Sequence, residues 1–247
     1  MSEQLPPTID PVAAARWHAR VSDDSPWLHE EVARRMQERL QWIVKPPAAW
    51  CDWDPLRGGV QGHALVGERF ARAACQIAET SSPQGERAAR ERFASRWWSP
   101  ARWSAATPRF GLPQAGSQQM LWANMALHMA ADPQALIAQW HRALTVDGYL
   151  MFSCLGPDTL RELRGLGRNL HPPRFAALRG RNWRERLEQA LAQRLADPRH
   201  GGQLGLTFEI VYGHAFKPAP RVRVEGSSAV SLQDMRAMLH AGRATGR

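Results

Sequence analysis

The feature that most constrains this chain is a repeated order: an apolar run of strand length, a helical stretch, then another apolar run. Ala48–Asp52, Ala73–Ala78, Gln119–Ala123 and Tyr149–Leu155 read as buried strands. Pro83–Arg96 reads as a helix, and Asp132-Pro133 opens another whose buried face is Leu136, Ile137, Trp140 and Leu144. Strands alternating with helices build βαβ units, hence a parallel sheet. Leu206–Phe216 alternates apolar and smaller or polar residues and has no clear helix after it, which predicts an antiparallel last strand beside Tyr149–Leu155. An earlier helix starts at Ser25-Pro26, with Ser25 as N-cap and Leu28, Val32, Met36, Leu40 and Ile43 on one face. Lys45-Pro46-Pro47 stops it. Asp54–Gly59 reads as a turn, Arg102–Ala106 as a further strand, Thr159–Arg164 as a short helix. A late helix, Trp183–Leu195, buries Trp183, Leu187, Leu191 and Leu195. The expected fold is α/β, with a loose N-terminal segment (1–24), one domain (25–220) and a flexible tail (221–247).

Composition narrows the setting. No stretch approaches the ~18 apolar residues of a membrane span, and the start shows no basic-then-apolar leader. Three cysteines, Cys51, Cys75 and Cys154, form no CxxC pair, which argues against a disulfide framework or zinc site and for the cytoplasm. Basic residues number 32 against 23 acids, a net charge of +9, and all but Lys45 and Lys217 are arginine. These arginines are spread through every segment, often beside glutamate, rather than gathered in the stripe of a nucleic-acid binder. No nucleic-acid or membrane partner is expected, and the chain is read as a monomer. A basic surface suits an acidic protein or an anionic substrate.

In open α/β sheets ligands sit outside the carboxyl ends of the strands. That rule gathers Asp52–Gly59, Glu79, Asn124 and Gly156–Asp158 around one cleft. No Ser-His-Asp or Cys-His arrangement and no metal-ligand spacing is legible; His128, His141, His171 and His214 read as core or solvated residues, Trp97, Trp98 and Trp103 as packing, and Cys154 as inert.

Three stretches carry a resemblance. Leu121-Trp122-Ala123-Asn124-Met125-Ala126-Leu127-His128, followed by Asp132-Pro133, resembles the region after strand 4 of class I S-adenosylmethionine-dependent methyltransferases. Asp147–Leu163 is similar to the strand-5 region of the malonyl-acyl-carrier-protein O-methyltransferases of biotin synthesis, and Leu206–Pro218 to their closing strand. With Gly167–His171 and the Trp183 helix, the resemblance spans roughly residues 25–220.

The resemblance implies a Rossmann-like three-layer sandwich that transfers a methyl group from S-adenosylmethionine to the free carboxyl of a malonyl thioester. The partner it implies is an acyl carrier protein or an acyl-CoA thioester. The cofactor-binding residues it implies are Asp52, Gly58, Gly59, Glu79 (on the ribose hydroxyls) and Asn124. Asp158, Arg161 and Arg164 are implied at the substrate rim, where an arginine fork suits a carboxylate.

The chain departs from the family pattern in three places. The glycine-rich Asp-x-Gly-x-Gly loop reads Asp52-Trp53-Asp54-Pro55-Leu56-Arg57-Gly58-Gly59. Trp53 crowds the pocket and Pro55 removes a donor, so donor binding is expected to be weak, and glycine at both positions should improve it. No acid is found after strand 3, in Trp103–Thr107. The join from Arg164 to Gly167 omits a helix and a strand, which should expose a sheet edge. These departures raise a second expectation: a catalytically impaired protein of the same fold, acting as a binding or regulatory partner.

Overall fold

A computed structural model describes residues 25–80, 82–94, 107–164, 180–198 and 201–220, together with 9, 10, 12, 14 and 16. The expected strand Arg102–Ala106, Trp97, Trp98, Trp103, the Gly167–His171 stretch and the tail lie outside these residues.

Helix α1 (Trp27–Glu38) is followed by a 3-10 turn and strand β1 (Ala49–Trp53). A single helical turn, α2 (Pro55–Gly58), leads into α3 (Val60–Arg69), β2 (Ala74–Ala78) and α4 (Pro83–Phe93). Then come β3 (Arg109–Phe110), β4 (Gln118–Ala123), α5 (Pro133–Ala143), β5 (Leu144–Leu155) and the turn α6 (Arg161–Arg164). The described chain closes with α7 (Arg181–Leu195), the small hairpin β6 (Ala196–Asp197) and β7 (Gln203–Leu204), and β8 (Ile210–Phe216).

The main sheet has the order β3-β2-β1-β4-β5-β8. All neighbours pair parallel except β8, which runs antiparallel to β5 with Tyr149 opposite Phe216 and Leu155 opposite Ile210. Side chains of a strand alternate between faces, and here they build two cores. Trp50, Met120, Trp122, Tyr149 and Met151 pack under α1 and α3 with Met36, Leu40 and Val66. Cys51, Trp53, Leu121, Ala123 and Leu150 pack under α5 with Trp140. The result is the expected three-layer sandwich, reversing strand order between β1 and β4. Among the described residues nothing pairs the outer edge of β8.

The caps explain two helix starts. Ser82 accepts from Gly85 N–H at 3.0 Å and Asp132 from Ala135 N–H at 2.9 Å, each before a proline in the first turn. Three expectations need correction. Ser25 does not cap α1: Pro26 occupies the N-cap, and the Ser25 hydroxyl bonds Glu30 and Val60 N–H. Ile137 is exposed, because α5 presents only Leu136, Trp140 and Ala143 inward. Among the described side chains of α7 only Leu195 is buried, Leu187 and Leu191 are half-buried, and Trp183 is 37% exposed. Strand β3 is Arg109–Phe110, a short strand that the sequence did not single out.

Helix α3 was not legible as a helix, and its glycines show why it exists. A Cβ on Gly62 would run into Ala33 Cβ of α1, so the two helices cross at a point with no space for a side chain. Ala33 Cβ is fixed to its backbone, so relief requires moving a helix. Gly62→Val is therefore expected to destabilise by about 1–3 kcal/mol, read as a lowered urea midpoint. An unchanged midpoint would show that α1 can shift freely.

Candidate functional site

At the carboxyl ends of β1, β2 and β4 lies a cleft of about 530 Å³, bordered by Trp53, Asp54, Thr80, Ala126, Met129 and Leu136 among others. That places it at the switch point of the sheet, the expected ligand position for this architecture.

Strand β1 extends one residue past its expected end, and strand alternation then decides where each side chain goes. Asp52, 2% exposed, points to α3, where its carboxylate meets His63 Nδ1 at 2.8 Å. Trp53 turns to the other face, packs edge-on against Trp140, and forms part of the cleft wall. Its buried Nε1–H has no hydrogen-bond partner among the described residues.

Asp54 stands where the loop pattern has its first glycine, and the backbone shows the reason for that pattern. Its φ of 53° and ψ of 51° are left-handed, a conformation that glycine adopts freely and aspartate tolerates. Its carboxylate accepts from Thr80 N–H at 2.6 Å and from the Thr80 hydroxyl at 3.0 Å. Leu56, at the second glycine position, donates its N–H to Glu79 Oε2 at 3.4 Å. Asp54 and Glu79 thus meet at the ends of β1 and β2. Burial, and next the Glu79 carboxylate, push Asp54 up to about 7. Arg57 feels both acids, and its own value falls through burial.

Gly58 and Gly59 serve chain packing. A Cβ on Gly58 would lie 2.9 Å from the Asn124 carbonyl oxygen, and Gly59 has φ 134° between α2 and α3. Asn124 is a bracket: its amide nitrogen donates to the carbonyls of His29 (2.8 Å) and Gly58, and its oxygen accepts from the Ser153 hydroxyl at 2.6 Å. The side-chain amide is committed within the fold.

The expected substrate residues stand apart from these. Asp158 is exposed, with its N–H donating to Glu209 Oε2 at 2.7 Å, and Arg161 pairs with its neighbour Glu162 at 3.4 Å. The Arg164 side chain lies outside the described residues. Neither Asp158 nor Arg161 borders the cleft. The expected gathering is therefore corrected in two respects: Asp52 lies on the opposite face from Trp53, and Gly156–Asp158 is tied to the approach to β8. The segment 111–117 after β3 contains no acid, so moving the strand does not supply one.

Sequence reading passed over Thr80, Met129 and Leu136, residue types that carry no signal alone. The spacing Asp52-x-Asp54 was the available clue to Asp54. Two half-buried histidines lie nearby, His128, read as core or solvated, and His29, which the sequence did not single out: His29 Nδ1 lies 2.6 Å from the Arg57 carbonyl oxygen, and His128 meets it edge-on at 6.4 Å. Burial lowers both, His128 to about 4.

These shifts predict an opposed pH dependence. An acid raised from its ordinary value near 4 to about 7 stabilises the fold at low pH and loses that contribution as pH rises through this range. A histidine lowered from about 6.5 to about 4 does the reverse, stabilising above that window and losing it as pH falls. Asp54 and His128 therefore offset each other between about pH 4 and 6.5. Asp54→Asn should leave a urea midpoint that rises with pH over this interval, and His128→Phe one that falls. Parallel slopes in the two variants would contradict the assignment.

The donor that the family resemblance implies is a cationic nucleoside. The residues present fit such a group: Asp54 in the cleft wall with Glu79 acting on it from the end of β2, a Trp53 indole N–H without a partner among the described residues, and sufficient volume. The left-handed position, however, carries a carboxylate instead of an open backbone.

No family model matches the chain. It is 30% identical to the malonyl-[acyl-carrier protein] O-methyltransferase of Laribacter hongkongensis, covering 83% of this chain and 88% of that protein. It is 29% identical to the protein of the same name from Gallionella capsiferriformans, covering 84% and 90%. The latter alignment runs over 273 positions while this chain has 247 residues, so the relative carries residues that this chain lacks. Among solved structures, the YcgJ protein of Bacillus subtilis is 12% identical with a TM-score of 0.48, covering 76% of this chain and all of that one. With 30% identity over 83% of its own length and 88% of the relative's, this chain belongs to the malonyl-acyl-carrier-protein O-methyltransferase family.

Proposed function

We propose that this chain methylates the free carboxyl group of a malonyl thioester held on an acyl carrier protein, in the biotin branch. The observation that carries this reading is the match to proteins of that name over nearly their whole length. S-adenosylmethionine, when bound, supplies an electrophilic methyl group on a positively charged sulfur. The protein's task is then to hold donor and acceptor in line, since a carboxylate oxygen is already nucleophilic and positioning supplies most of the rate.

Within that reading, Glu79 accepts hydrogen bonds from the ribose hydroxyls and Trp53 Nε1–H donates to the ligand. Asp54 borders the cleft beneath them. Asp158, Arg161 and Arg164 are assigned to the thioester side, on the rim after β5. The net charge of +9 favours encounter with an acidic carrier protein, raising the association rate more than the final affinity. Methyl esterification removes the acceptor's charge and lets the acyl group behave as an apolar chain. Among the described residues no helix is long and apolar enough to cross a membrane.

The test is incubation of the full chain with malonyl-acyl carrier protein and isotopically labelled donor. Appearance of labelled methyl ester on the malonyl group is expected; its absence at donor concentrations that titration shows to be saturating would overturn the reading. Glu79→Ala should weaken donor binding by about 1–3 kcal/mol, the cost of leaving polar groups unpaired. Unchanged affinity in that variant would move the ribose elsewhere.

A further inference from the structure

Asp54 introduces a charge at a position where the family pattern has none, and it does so on the wall of the cleft. Three observations define its surroundings. The left-handed backbone at Asp54 fixes where its Cβ points, and Thr80 N–H and hydroxyl hold the carboxylate from one side. Glu79, 9% exposed, lies close enough to act on it electrostatically, while Arg57 is the cation that acts on both. Asp132 and Arg142 also border the cleft and balance each other, so Asp54 and Glu79 against the Arg57 guanidinium leave it with an excess negative charge.

The donor and product of methyl transfer from a sulfonium differ in one respect that matters here. The donor carries a fixed positive charge on sulfur; the product has lost it with the methyl group. A neutral cleft binds the two nearly alike, since shape and hydrogen bonds are shared. A cleft with a carboxylate in its wall does not, because the Coulomb term acts on the donor alone and is weakly screened in a recessed site.

We propose that Asp54 is a specificity-determining residue that makes this cleft prefer the positively charged sulfonium donor over its neutral demethylated product. The inference rests on the proposed methyltransferase reading and adds to it a reason for the acid in the glycine position. Replacing glycine by aspartate fills part of the cradle and lowers affinity for both ligands. The same substitution returns attraction to one of them. Product inhibition is thereby relieved, at the cost of a weaker donor complex. A cation in the cleft also favours the ionised form of Asp54, reinforcing the preference as it binds.

The experiment is isothermal titration of the full chain with S-adenosylmethionine and with S-adenosylhomocysteine, in low salt at about pH 8.5, where Asp54 is ionised. The wild type should bind the charged donor about tenfold or more tightly than the product, the scale of one partly screened charge pair. Asp54→Asn keeps shape and removes charge, so the ratio should fall toward one. Asp54→Gly, which suits the left-handed backbone and protects against a folding defect in the first variant, should also lose the preference while binding the product more tightly. Glu86→Gln, on the exposed face of α4, should leave the ratio unchanged. A ratio that is the same in wild type and both Asp54 variants overturns the inference and leaves the methyltransferase reading standing. Failure of all the proteins to bind either compound overturns both.

Discussion

Replacing Trp53 by glycine is expected to destabilise the fold by about 3–5 kcal/mol and to worsen donor binding rather than improve it. The crowding expected from the sequence treats the indole as an obstruction in a loop. The structure makes it the last residue of β1, 1% exposed, with its ring centroid 6.1 Å from that of Trp140 and Ala78 and Ala123 in the same cluster. Removing an indole from this layer leaves a cavity between β1 and α5 that the surrounding backbone cannot close. Pro55 is likewise seated: it occupies the first position of α2, where its missing N–H has no intrahelical partner to lose. The group that narrows the cleft is the Asp54 carboxylate between them. Denaturation of Trp53→Gly in urea, followed by donor titration below the transition, measures both effects. A variant as stable as the wild type with tighter donor binding would return the indole to the role of obstruction.

The two adjacent strands β4 and β5 were legible because their sequences are unambiguous. Gln119–Ala123 and Tyr149–Leu155 are apolar runs separated by one helix, and they do lie parallel and adjacent. The antiparallel final strand was legible from alternation, although its first four expected residues, 206–209, precede β8 and instead tie back to Thr159, Leu160 and Glu162. Helix α3 was hidden because Gly62 and Gly67 weaken its intrinsic propensity; it forms because Val66 and Gly62 pack against β1 and α1, a tertiary fact. The site was harder still. The identity of the acid at position 54 was visible, but its left-handed backbone and its Thr80 contacts exist only once β1 and β2 are side by side. Asp52 illustrates the converse: a one-residue change in where a strand ends moves a carboxylate from the cleft to the opposite face.

Asn124→Leu should be nearly as damaging as the loss of Trp53, at about 2–5 kcal/mol, although it removes no volume. Asn124 is 1% exposed and ties together three separate parts of the chain. Its nitrogen binds carbonyls from α1 and α2, and its oxygen takes the proton of the Ser153 hydroxyl, which in turn accepts from Met125 N–H at 3.0 Å. Leucine leaves the carbonyls of His29 and Gly58 without this partner in a buried place, at about 1–3 kcal/mol for each stranded group. Ser153→Ala removes only the far end of the same chain of bonds, so a smaller loss, near 1 kcal/mol, is expected there. The pair of variants separates two roles for the asparagine. If it serves the fold, urea midpoints fall in the order wild type, Ser153→Ala, Asn124→Leu, and donor affinity at low urea follows stability. If Asn124→Leu keeps the wild-type midpoint while donor binding disappears, the amide acts on the ligand, and the bracket drawn between α1, α2 and β5 is incidental to it.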